Sequence, residues 1–260
     1  MAATNVWIGT SGFQYPEWKG KFYPEDLATT KMLKFYAGEF SSTEVNYTFR
    51  SLPSEKTVKR WCDETPDDFR FSLKAPQKVT HFAKLKGEEC KETIETFFEA
   101  VAGLGEKLGP VLFQLPPTFK ADVGLLKEFL AGVAVPQQKS KKKLAGVPMR
   151  RLAFEFRHES WLTDEVYGVL AEKNVALCVA ESEEFETPQV ATADFGYLRL
   201  RREDYTPAQI KKKWAKFVSE QREVKAGGLA WGEVFVYFKH EETCAGPEFA
   251  KVLMKALAAG

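Results

Sequence analysis

Residues 151–161 read RLAFEFRHESW, a short apolar run that ends in a cluster of charged side chains. Successive side chains of a β-strand point to opposite faces of the sheet, so every second residue shares a face. Glu155 and Arg157 therefore share one face of this predicted strand. Three apolar side chains share the other face: Leu152, Phe154 and Phe156. Taken alone, the charged pair is as consistent with a buried ion pair that fixes the fold as with a functional site.

Similar segments recur along the chain. Seven further strands are predicted, at residues 6–13, 42–49, 69–76, 109–116, 174–182, 195–202 and 234–241. Between them, apolar side chains recur at the spacing of amphipathic helices. Strict alternation of strands and helices is typical of parallel strands joined by right-handed crossovers. The chain of 260 residues is therefore predicted to be an α/β protein, a single TIM-like (β/α)8 barrel of parallel strands that forms one domain over residues 1–260.

A doubly wound open sheet is the alternative fold for such an alternation. It is less favoured, because no G-x-G-x-x-G motif follows the first predicted strand and the chain has no P-loop motif.

In a closed barrel, the apolar face of each strand packs against the helices and the other face points into the barrel. Polar side chains are then predicted to point inward near the carboxyl ends of the strands: Glu44, Asn46, Lys74, Gln114, Glu155, Arg157, Arg199, Arg201, Tyr237 and Lys239. Glu181 also ends a strand, but the pattern leaves open which way it faces. TIM barrels are normally filled with apolar side chains and carry their active sites at this end. Because buried unpaired charges are costly, the polar side chains predict a ligand site.

The sign of the charge indicates the kind of ligand. The predicted inward cations outnumber the inward carboxylates, and Arg side chains bind phosphate or carboxylate groups at two points. We therefore expect a small anionic ligand, such as a phosphate, a carboxylate or a nucleotide. The lysine-rich run at residues 139–143 lies between a helix and the next strand, at the opposite end of the barrel, and is left out of the site.

Composition and the start of the sequence bear on the partners and the cellular location of the protein. The net charge of +1 gives no argument for general attraction to nucleic acid, and the four cysteines are scattered without a C-x-x-C pair. The start of the chain has neither the basic residues nor the apolar run of a signal peptide. No uncharged apolar stretch approaches the ~18 residues that span a bilayer. We therefore expect reduced thiols, a cytoplasmic location and no membrane partner.

Several segments resemble the YecE-like family, a broad bacterial and archaeal family of unknown function. They are IGTSGF (8–13), YPEWKGKFYP (15–24), STEVNYTF (42–49), KAP (74–76) with TH (80–81), LFQLPP (112–117), EFRHESW (155–161), YLRLR (197–201) and VYF (236–238). The resemblance covers nearly the whole chain and implies a TIM-like barrel with no established activity. It also implies a shared site formed by Glu44, Asn46, Lys74, Gln114, Glu155, Arg157, His158, Trp161 and Arg199.

Two places depart from the pattern of that family. After the seventh strand this chain has Arg201-Arg202, where the family tends to have His-Gly. After the eighth strand it has Lys239-His240, where the family tends to have paired Asn. Both changes make this end of the barrel more basic, so the identity of the ligand does not follow from the resemblance.

Three functions remain open at this level. The first is an enzyme, a hydrolase or an isomerase, in which Glu155 or Glu44 is the general acid or base. Its predicted ligand-binding residues are Asn46, Lys74, Gln114, Arg157, His158, Trp161, Arg199, Arg201 and Lys239. The second is a nucleic-acid-binding or repair protein, by analogy with endonuclease barrels, whose aromatic first loop (Tyr15, Trp18, Phe22) stacks bases. The third is a non-catalytic protein that binds a ligand in the same pocket.

A metal enzyme is a weaker hypothesis. The three histidines, His81, His158 and His240, lie at or just after predicted strand ends, and neighbouring glutamates could complete a site. However, no H-E-x-x-H motif occurs, and inward Arg and Lys side chains would repel a cation. We therefore predict neither a metal nor another cofactor.

Overall fold

The computed structural model describes residues 5–133, 150–222, 230–239 and 243–259. Within them lie eight strands: β1 (Asn5–Thr10), β2 (Ser42–Val45), β3 (Arg70–Lys74), β4 (Leu108–Gln114), β5 (Leu152–Glu155), β6 (Ala176–Glu181), β7 (Phe195–Leu200) and β8 (Glu233–Phe238). They form one sheet in the order β1-β8-β7-β6-β5-β4-β3-β2, and each neighbouring pair is parallel. The predicted TIM-like α/β barrel is confirmed.

The helices of the described residues surround this sheet: α1 (Met32–Glu39), α2 (Glu55–Asp63), α3 (Glu88–Val101), α4 (Val123–Val133), α5 (Asp164–Glu172), α6 (Pro207–Gln209), α7 (Lys216–Arg222) and α8 (Ala245–Ala258). A π-helical stretch, Ile210–Ala215, joins α6 to α7. Ser54, Thr163 and Thr206 cap α2, α5 and α6, each accepting a backbone N–H with its side-chain oxygen. The predicted alternation fails once, because residues 182–194 connect β6 to β7 without a helix.

Side chains close the barrel between β1 and β2, the two ends of the strand order. The hydroxyl of Tyr36 accepts the backbone N–H of Thr10 over 2.7 Å and donates to the carbonyl of Ser42 over 3.1 Å. Ser41 Oγ accepts the N–H of Ile8 over 3.2 Å. A Cβ atom at Gly9 would lie 1.8 Å from the Ser42 carbonyl oxygen, so only glycine permits this approach. We call this line of contacts the β1–β2 seam.

Two apolar layers follow the predicted alternation of faces. The larger one lies between the strands and the helices, and it includes Leu152, Phe154 and Phe156 of the stretch quoted first. The smaller one fills the barrel itself with side chains such as Trp7, Leu112, Cys178, Tyr197 and Phe235. Near the carboxyl ends of the strands, where the predicted site lies, the inward face carries charged side chains such as Glu44, Glu155 and Arg199.

Some predicted strand ends shift, and some predictions fall outside the described residues. The predicted strand 42–49 ends at Val45, because Asn46 adopts helical backbone angles and starts a short 3-10 turn at Tyr47–Phe49. The lysine-rich run at residues 139–143 and His240 lie outside the described residues.

No helix in the described part of the chain is long and apolar enough to cross a membrane.

Candidate functional site at the carboxyl end of the barrel

Arg199 lies at the centre of the carboxyl end of the barrel. Its side chain is only 2% exposed and reaches from β7 to two carboxylates on other strands. Nη2 donates a hydrogen bond to Oε1 of Glu44 over 2.8 Å, and Nη1 donates one to Oε2 of Glu155. Because Glu44 lies on β2 and Glu155 ends β5, one guanidinium connects three strands across the barrel. We name six side chains at this end the mouth cluster: Glu44, Lys74, Gln114, Glu155, Arg157 and Arg199.

Glu44 is fully buried and well supplied with hydrogen-bond donors. Its Oε1 also accepts from Oγ of Ser11 over 2.8 Å, and its Oε2 accepts from the hydroxyl of Tyr197 over 2.7 Å. Burial acts to raise the pKa of this carboxyl group, but the charge of Arg199 and the hydrogen bonds from Arg199, Tyr197 and Ser11 lower the pKa below its usual value. Glu44 is therefore an anion that holds Arg199 in place.

Glu155 is also buried and anionic. Its Oε1 accepts a hydrogen bond from Nε of Arg157 over 2.8 Å, while its Oε2 accepts from Arg199. Burial raises the pKa of Glu155, but the positive charges of Arg199, Arg157 and Arg201 outweigh burial and bring the pKa to about 2. Two short charge-assisted contacts hold this carboxylate firmly.

Gln114 collects the cations of the mouth cluster on one oxygen. Its Oε1 accepts from Nζ of Lys74 over 3.0 Å, from Nη2 of Arg157 over 3.2 Å and from Nη1 of Arg199 over 3.4 Å. A neutral amide oxygen orients these three donors without cancelling their charge. The cluster therefore contains more cations than anions.

Lys74 ends β3 and sits in a different environment from an ordinary surface lysine. Its Nζ lies 4.1 Å from the centre of the Phe49 ring and donates to Gln114. Burial lowers the pKa of this amine to about 8, together with the charges of Arg199 and Arg157, against the opposing effect of Glu44 and Glu155. Lys74 is therefore mainly a cation at pH 7, but a larger fraction of it is uncharged than of a lysine with the usual pKa.

A cavity of about 340 Å³ opens beside the mouth cluster, above β5 to β8. Glu155 and Arg157 of the cluster form part of its wall, together with Arg201 and Lys239. Residues 182–185 of the connection after β6 form the facing wall and contribute the exposed acids Glu183 and Glu184. We call it the β5–β8 cavity.

Arg201 and Lys239 meet different partners around the β5–β8 cavity. Nζ of Lys239 pairs with a carboxylate oxygen of Glu203 over 2.5 Å. For the guanidinium of Arg201, no hydrogen bond or ion pair is found within the part of the chain that the structure describes. Burial lowers the pKa of Arg201, and the neighbouring Arg199 lowers it further. Arg201 is therefore a partly desolvated cation that faces a cavity.

Asn46 lies apart from the mouth cluster. It lines a second cavity of about 340 Å³, formed over β1 and β2 by residues that include Gly12, Tyr15 and Arg60. The reason is local: the strand ends at Val45, so the alternation that predicted an inward side chain no longer applies at residue 46.

His158 and Trp161 lie in the turn after β5. Nδ1 of His158 accepts the backbone N–H of Ser160 over 3.1 Å, so this histidine caps the 3-10 turn Glu159–Trp161. Trp161 is fully buried; its ring stacks on Phe156 at 4.7 Å, and its Nε1 donates to the carbonyl of Phe119 over 2.7 Å. The structure thus places Trp161 in the core between barrel and helices.

Glu181 faces away from the inside of the barrel. Its oxygens accept from Nζ of Lys213, the hydroxyl of Tyr205 and Nε1 of Trp214, all on the helix side of β6. The direction that the sequence left open is thus outward, so Glu181 adds no third carboxylate beside Glu44 and Glu155. Tyr237 does point inward, where its hydroxyl bonds to Ser42 at a deeper level than the cluster.

The aromatic first loop packs on itself. Trp18 is fully buried and contacts Tyr15, Phe22 and Tyr23, with ring centres 4.7, 5.8 and 6.1 Å away. This corrects the expectation that Trp18 stacks nucleic-acid bases, because a buried ring offers them no open face.

Four further residues at this end of the barrel were absent from the predicted site: Ser11, Phe49, His81 and Tyr197. Tyr197 precedes Arg199 by two residues on the same strand, so the rule of alternating faces also places its side chain inside the barrel. His81 lies in a π-helical turn, Lys78–Phe82, where its ring meets Phe49 edge-on at 4.9 Å. Burial lowers the pKa of His81, and the charges of Lys74 and Arg157 lower it further, so this histidine adjoins the mouth cluster.

In the described ranges 5–133, 150–222, 230–239 and 243–259, no group of three or more His, Cys, Asp or Glu side chains lies close enough together to hold a metal ion.

The chain is similar to proteins of unknown function. The family described as "Protein of unknown function DUF72" matches residues 7–260. UPF0759 protein YecE of Escherichia coli (strain K12) is 33% identical over 114 residues, which cover 44% of this chain and 39% of that protein. This match thus spans about two fifths of the length of the relative. UPF0759 protein YunF of Bacillus subtilis (strain 168) is 26% identical over 254 residues, covering 91% of this chain and 79% of that protein.

Solved structures agree with the fold. A DUF72 family protein of Thermotoga maritima has a TM-score of 0.78 and 27% identity, covering 98% of this chain and 99% of its own. A DUF72 family protein of Enterococcus faecalis has a TM-score of 0.71, with 99% of both chains covered. Its 18% identity supports a shared fold and nothing more.

Proposed function

This chain belongs to the DUF72 family of unknown function, and from that starting point we propose that the β5–β8 cavity binds a small anionic ligand, one that bears a phosphate or a carboxylate group. The ligand would enter at the carboxyl end of the barrel, which is where TIM barrels generally carry their sites.

The observation that carries this proposal is the guanidinium of Arg201. It lines the cavity, it is partly desolvated, and it has no carboxylate partner in the part of the chain that the structure describes. Desolvating a charge without a partner costs several kcal/mol on an order-of-magnitude basis, and a bound anion would offset that cost.

The balance of charge across the mouth supports the same ligand class. With Glu181 on the helix side, two carboxylates of the mouth cluster face four cations: Lys74, Arg157, Arg199 and Arg201. Glu183 and Glu184 are exposed acids on the cavity wall, where water screens them more than it screens the buried cations. The remaining surplus of positive charge is what an anion would neutralise.

Arg157 offers a second contact for the same ligand. Its side chain is 34% exposed and uses Nε for Glu155 and Nη2 for Gln114. These two bonds fix the plane of the guanidinium in advance, and Arg157 is part of the cavity wall. Fixing a donor before binding lowers the entropic cost of binding.

Catalysis by a hydrolase or isomerase mechanism is the finer form of this proposal. Glu155 is the better candidate of the two predicted carboxylates, because it lines the cavity while Glu44 is fully buried. However, a pKa of about 2 makes Glu155 a weak base, since catalytic bases work best with a pKa near the working pH. The geometry favours Glu155 as the residue that positions Arg157 and Arg199.

Phosphate binding to two single variants tests the proposal. We expect inorganic phosphate to bind the wild-type protein, detected by line broadening of its ³¹P NMR signal, and Arg201→Ala to weaken binding about tenfold, or about 1.4 kcal/mol. Arg202→Ala is the matched control, because Arg202 pairs with Asp204 through Nε and Nη2 and is not part of the cavity wall described above. Equal phosphate binding by both variants would contradict the proposal.

A panel of phosphoesters and sugar phosphates then separates an enzyme from a non-catalytic binding protein. Turnover of a compound that Glu155→Gln abolishes supports catalysis, whereas tight binding with no turnover of any compound supports a ligand-binding protein.

A further inference from the structure

Lys74 is placed among cations rather than beside a carboxylate. In the described part of the chain, its Nζ has an amide oxygen, that of Gln114, and an aromatic ring, that of Phe49, as close partners. The charged groups that face it are Arg199 and Arg157, then Glu44 and Glu155, which are themselves held by the two arginines. No ion pair of Lys74 is found among the described residues, so no carboxylate pairs directly with its amine.

The amine also adjoins the proposed anion site. Nζ of Lys74 and Nη2 of Arg157 lie within hydrogen-bond distance of the same Gln114 oxygen, so they are near neighbours. Arg157 lines the β5–β8 cavity. A ligand whose acidic group reaches Arg157 and Arg201 would therefore bring its adjoining atoms towards Lys74.

Lysine residues become nucleophiles when burial or neighbouring cations favour the uncharged amine. Both conditions hold for Lys74, whose pKa is lowered to about 8 by burial and by the two arginines. His81 beside it favours its own uncharged form, because burial and the charges of Lys74 and Arg157 lower its pKa. Lys74 stands on the end of a strand, which holds it more rigidly than a loop would.

We propose that Lys74 is a nucleophile that forms a Schiff base with an anionic carbonyl compound, a 2-oxo acid or a sugar phosphate, held by Arg157 and Arg201. This inference rests on the proposed function, because the arginines must bind the acidic group for the carbonyl to meet the amine.

The step balances with the groups named. The uncharged amine of Lys74 attacks the carbonyl carbon and forms a C–N bond, and a proton moves from nitrogen to oxygen to give a carbinolamine. The carbinolamine hydroxyl takes a proton from solvent and leaves as water, which yields a protonated imine. No oxidant or reductant takes part. For trapping, added cyanoborohydride donates a hydride to the imine carbon and leaves a stable secondary amine.

Glyoxylate, the smallest 2-oxo acid, is the probe of choice. The wild-type protein is treated with glyoxylate and cyanoborohydride at pH 7.5 (chosen just below the pKa of about 8), and modified lysines are located by peptide mass spectrometry. We expect Lys74 to be modified at least about tenfold faster than the exposed Lys78, since each unit of lowered pKa gives about ten times more uncharged amine. Modification of Lys74 at no more than the rate of Lys78 would overturn the inference.

Three controls distinguish the failure of this inference from the failure of the proposed function. Inorganic phosphate should slow the glyoxylate reaction at Lys74 and leave Lys78 unchanged, and Arg201→Ala should slow it about tenfold. Acetaldehyde, an aldehyde without an acidic group, should modify Lys74 far more slowly. Equal rates with acetaldehyde and glyoxylate would overturn both the substrate class and the anion site.

Lys74→Arg completes the test, because it keeps the positive charge and removes the amine. This variant should lose the fast-forming adduct from the mass spectrum of the intact protein, whereas Lys78→Arg, which removes an exposed amine, should keep it. Phosphate binding by the wild-type protein without any adduct at Lys74 would leave the anion site intact and overturn the Schiff base.

Discussion

At the scale of single residues, Arg199 determines how the end of the barrel is built. It is nearly inaccessible to solvent and joins two buried carboxylates, Glu44 and Glu155, that would otherwise repel each other. A buried ion pair is weak evidence for net stability, but the loss of one partner is costly because a charge is left unpaired.

The Arg199→Met substitution should therefore destabilise the protein strongly. It leaves Glu44 and Glu155 buried without their shared cation, so we expect the free energy of unfolding to fall by about 3–5 kcal/mol. Urea unfolding followed by circular dichroism measures this change. Arg202→Met, at an arginine 33% exposed and paired with Asp204, is the control and should stay within about 0.5 kcal/mol of the wild type. A loss of less than about 1 kcal/mol in Arg199→Met would show that the carboxylates find other partners.

Glu155 gives a prediction about acid stability. Its pKa is about 2 in the folded protein against a usual value of 4.5, because Arg199 and Arg157 favour the charged form. The unfolded chain thus binds the proton first, so Glu155 contributes about 3 kcal/mol above pH 4.5 and loses this contribution as the pH falls towards 2. In urea unfolding at several pH values, the wild type should lose stability over this range more steeply than Glu155→Gln. Parallel pH profiles would contradict the shift.

The rule of alternating faces found most of the mouth cluster from sequence. It placed Glu44, Lys74, Gln114, Glu155 and Arg199 inside the barrel, because each stands within a regular strand. It fails at Asn46, because the strand ends at Val45 and a turn sets the direction of the next side chain. His158 and Trp161 were included through the resemblance and not through this rule, and both lie in the turn after β5. His81 was missed for a related reason: a π-helical turn has no alternation to read.

At the scale of elements, the β1–β2 seam depends on the absence of a side chain at Gly9. A Cβ atom there would lie 1.8 Å from the carbonyl oxygen of Ser42, and backbone on both sides cannot move without breaking the contacts of Tyr36. The close approach is a property of two distant segments, so the sequence of β1 alone could only suggest it.

Gly9→Ala should thus destabilise the barrel by at least about 3 kcal/mol in urea unfolding, because the clash is with backbone. Gly168→Ala is the matched control: Gly168 lies inside α5 with open space around its Cβ position, so alanine should stabilise by about 0.5–1 kcal/mol. Equal stability of the two variants would mean that the seam is looser than described.

The connection between β6 and β7 is a second feature that the alternating pattern did not predict. Residues 182–194 form no helix, and part of this segment instead forms a wall of the β5–β8 cavity. Its residues include Pro188 and several polar side chains, which indicate a loop but not where the loop lies. The position of the loop depends on contacts made in the folded chain, such as the hydrogen bond from the N–H of Thr187 back to the carbonyl of Ala180 on β6.

At the scale of the whole molecule, the net charge of +1 conceals a local surplus of cations at one end of the barrel. The periodic pattern and the strand count were enough to predict the barrel, because a parallel sheet with outer helices has few alternative closures. The charge surplus was also predictable in sign. Its magnitude depended on the direction of Glu181, which only the folded arrangement fixes.

A surplus of buried positive charge lowers the free energy of unfolding, so replacing Lys74 by methionine should raise it. Folding lowers the pKa of Lys74 from 10.5 to about 8, so the ammonium form is less favourable in the folded protein. We expect the methionine variant to be more stable at pH 7 by about 1–2 kcal/mol. The wild type should then recover stability as the pH rises from 8 to 10.5, because its unfolded state still binds the proton over that range.

Thermal and urea unfolding at pH 7 and pH 10 measure both parts of this expectation. Lys78→Met, at an exposed lysine of the following turn, is the control and should change little at either pH. A Lys74→Met variant that is less stable than the wild type at pH 7 would show that its contacts with Gln114 and Phe49 outweigh the cost of its burial.

The β1–β2 seam has a kinetic consequence. Side-chain hydroxyl groups hold β1 to β2, whereas a continuous ladder of backbone hydrogen bonds holds β7 to β8. We therefore expect the barrel to open locally at the seam first. The amide protons of Ile8 and Thr10, which donate to Ser41 and Tyr36, should exchange with deuterium before those between β7 and β8. Each such opening would widen the rim next to Ser11 and Glu44.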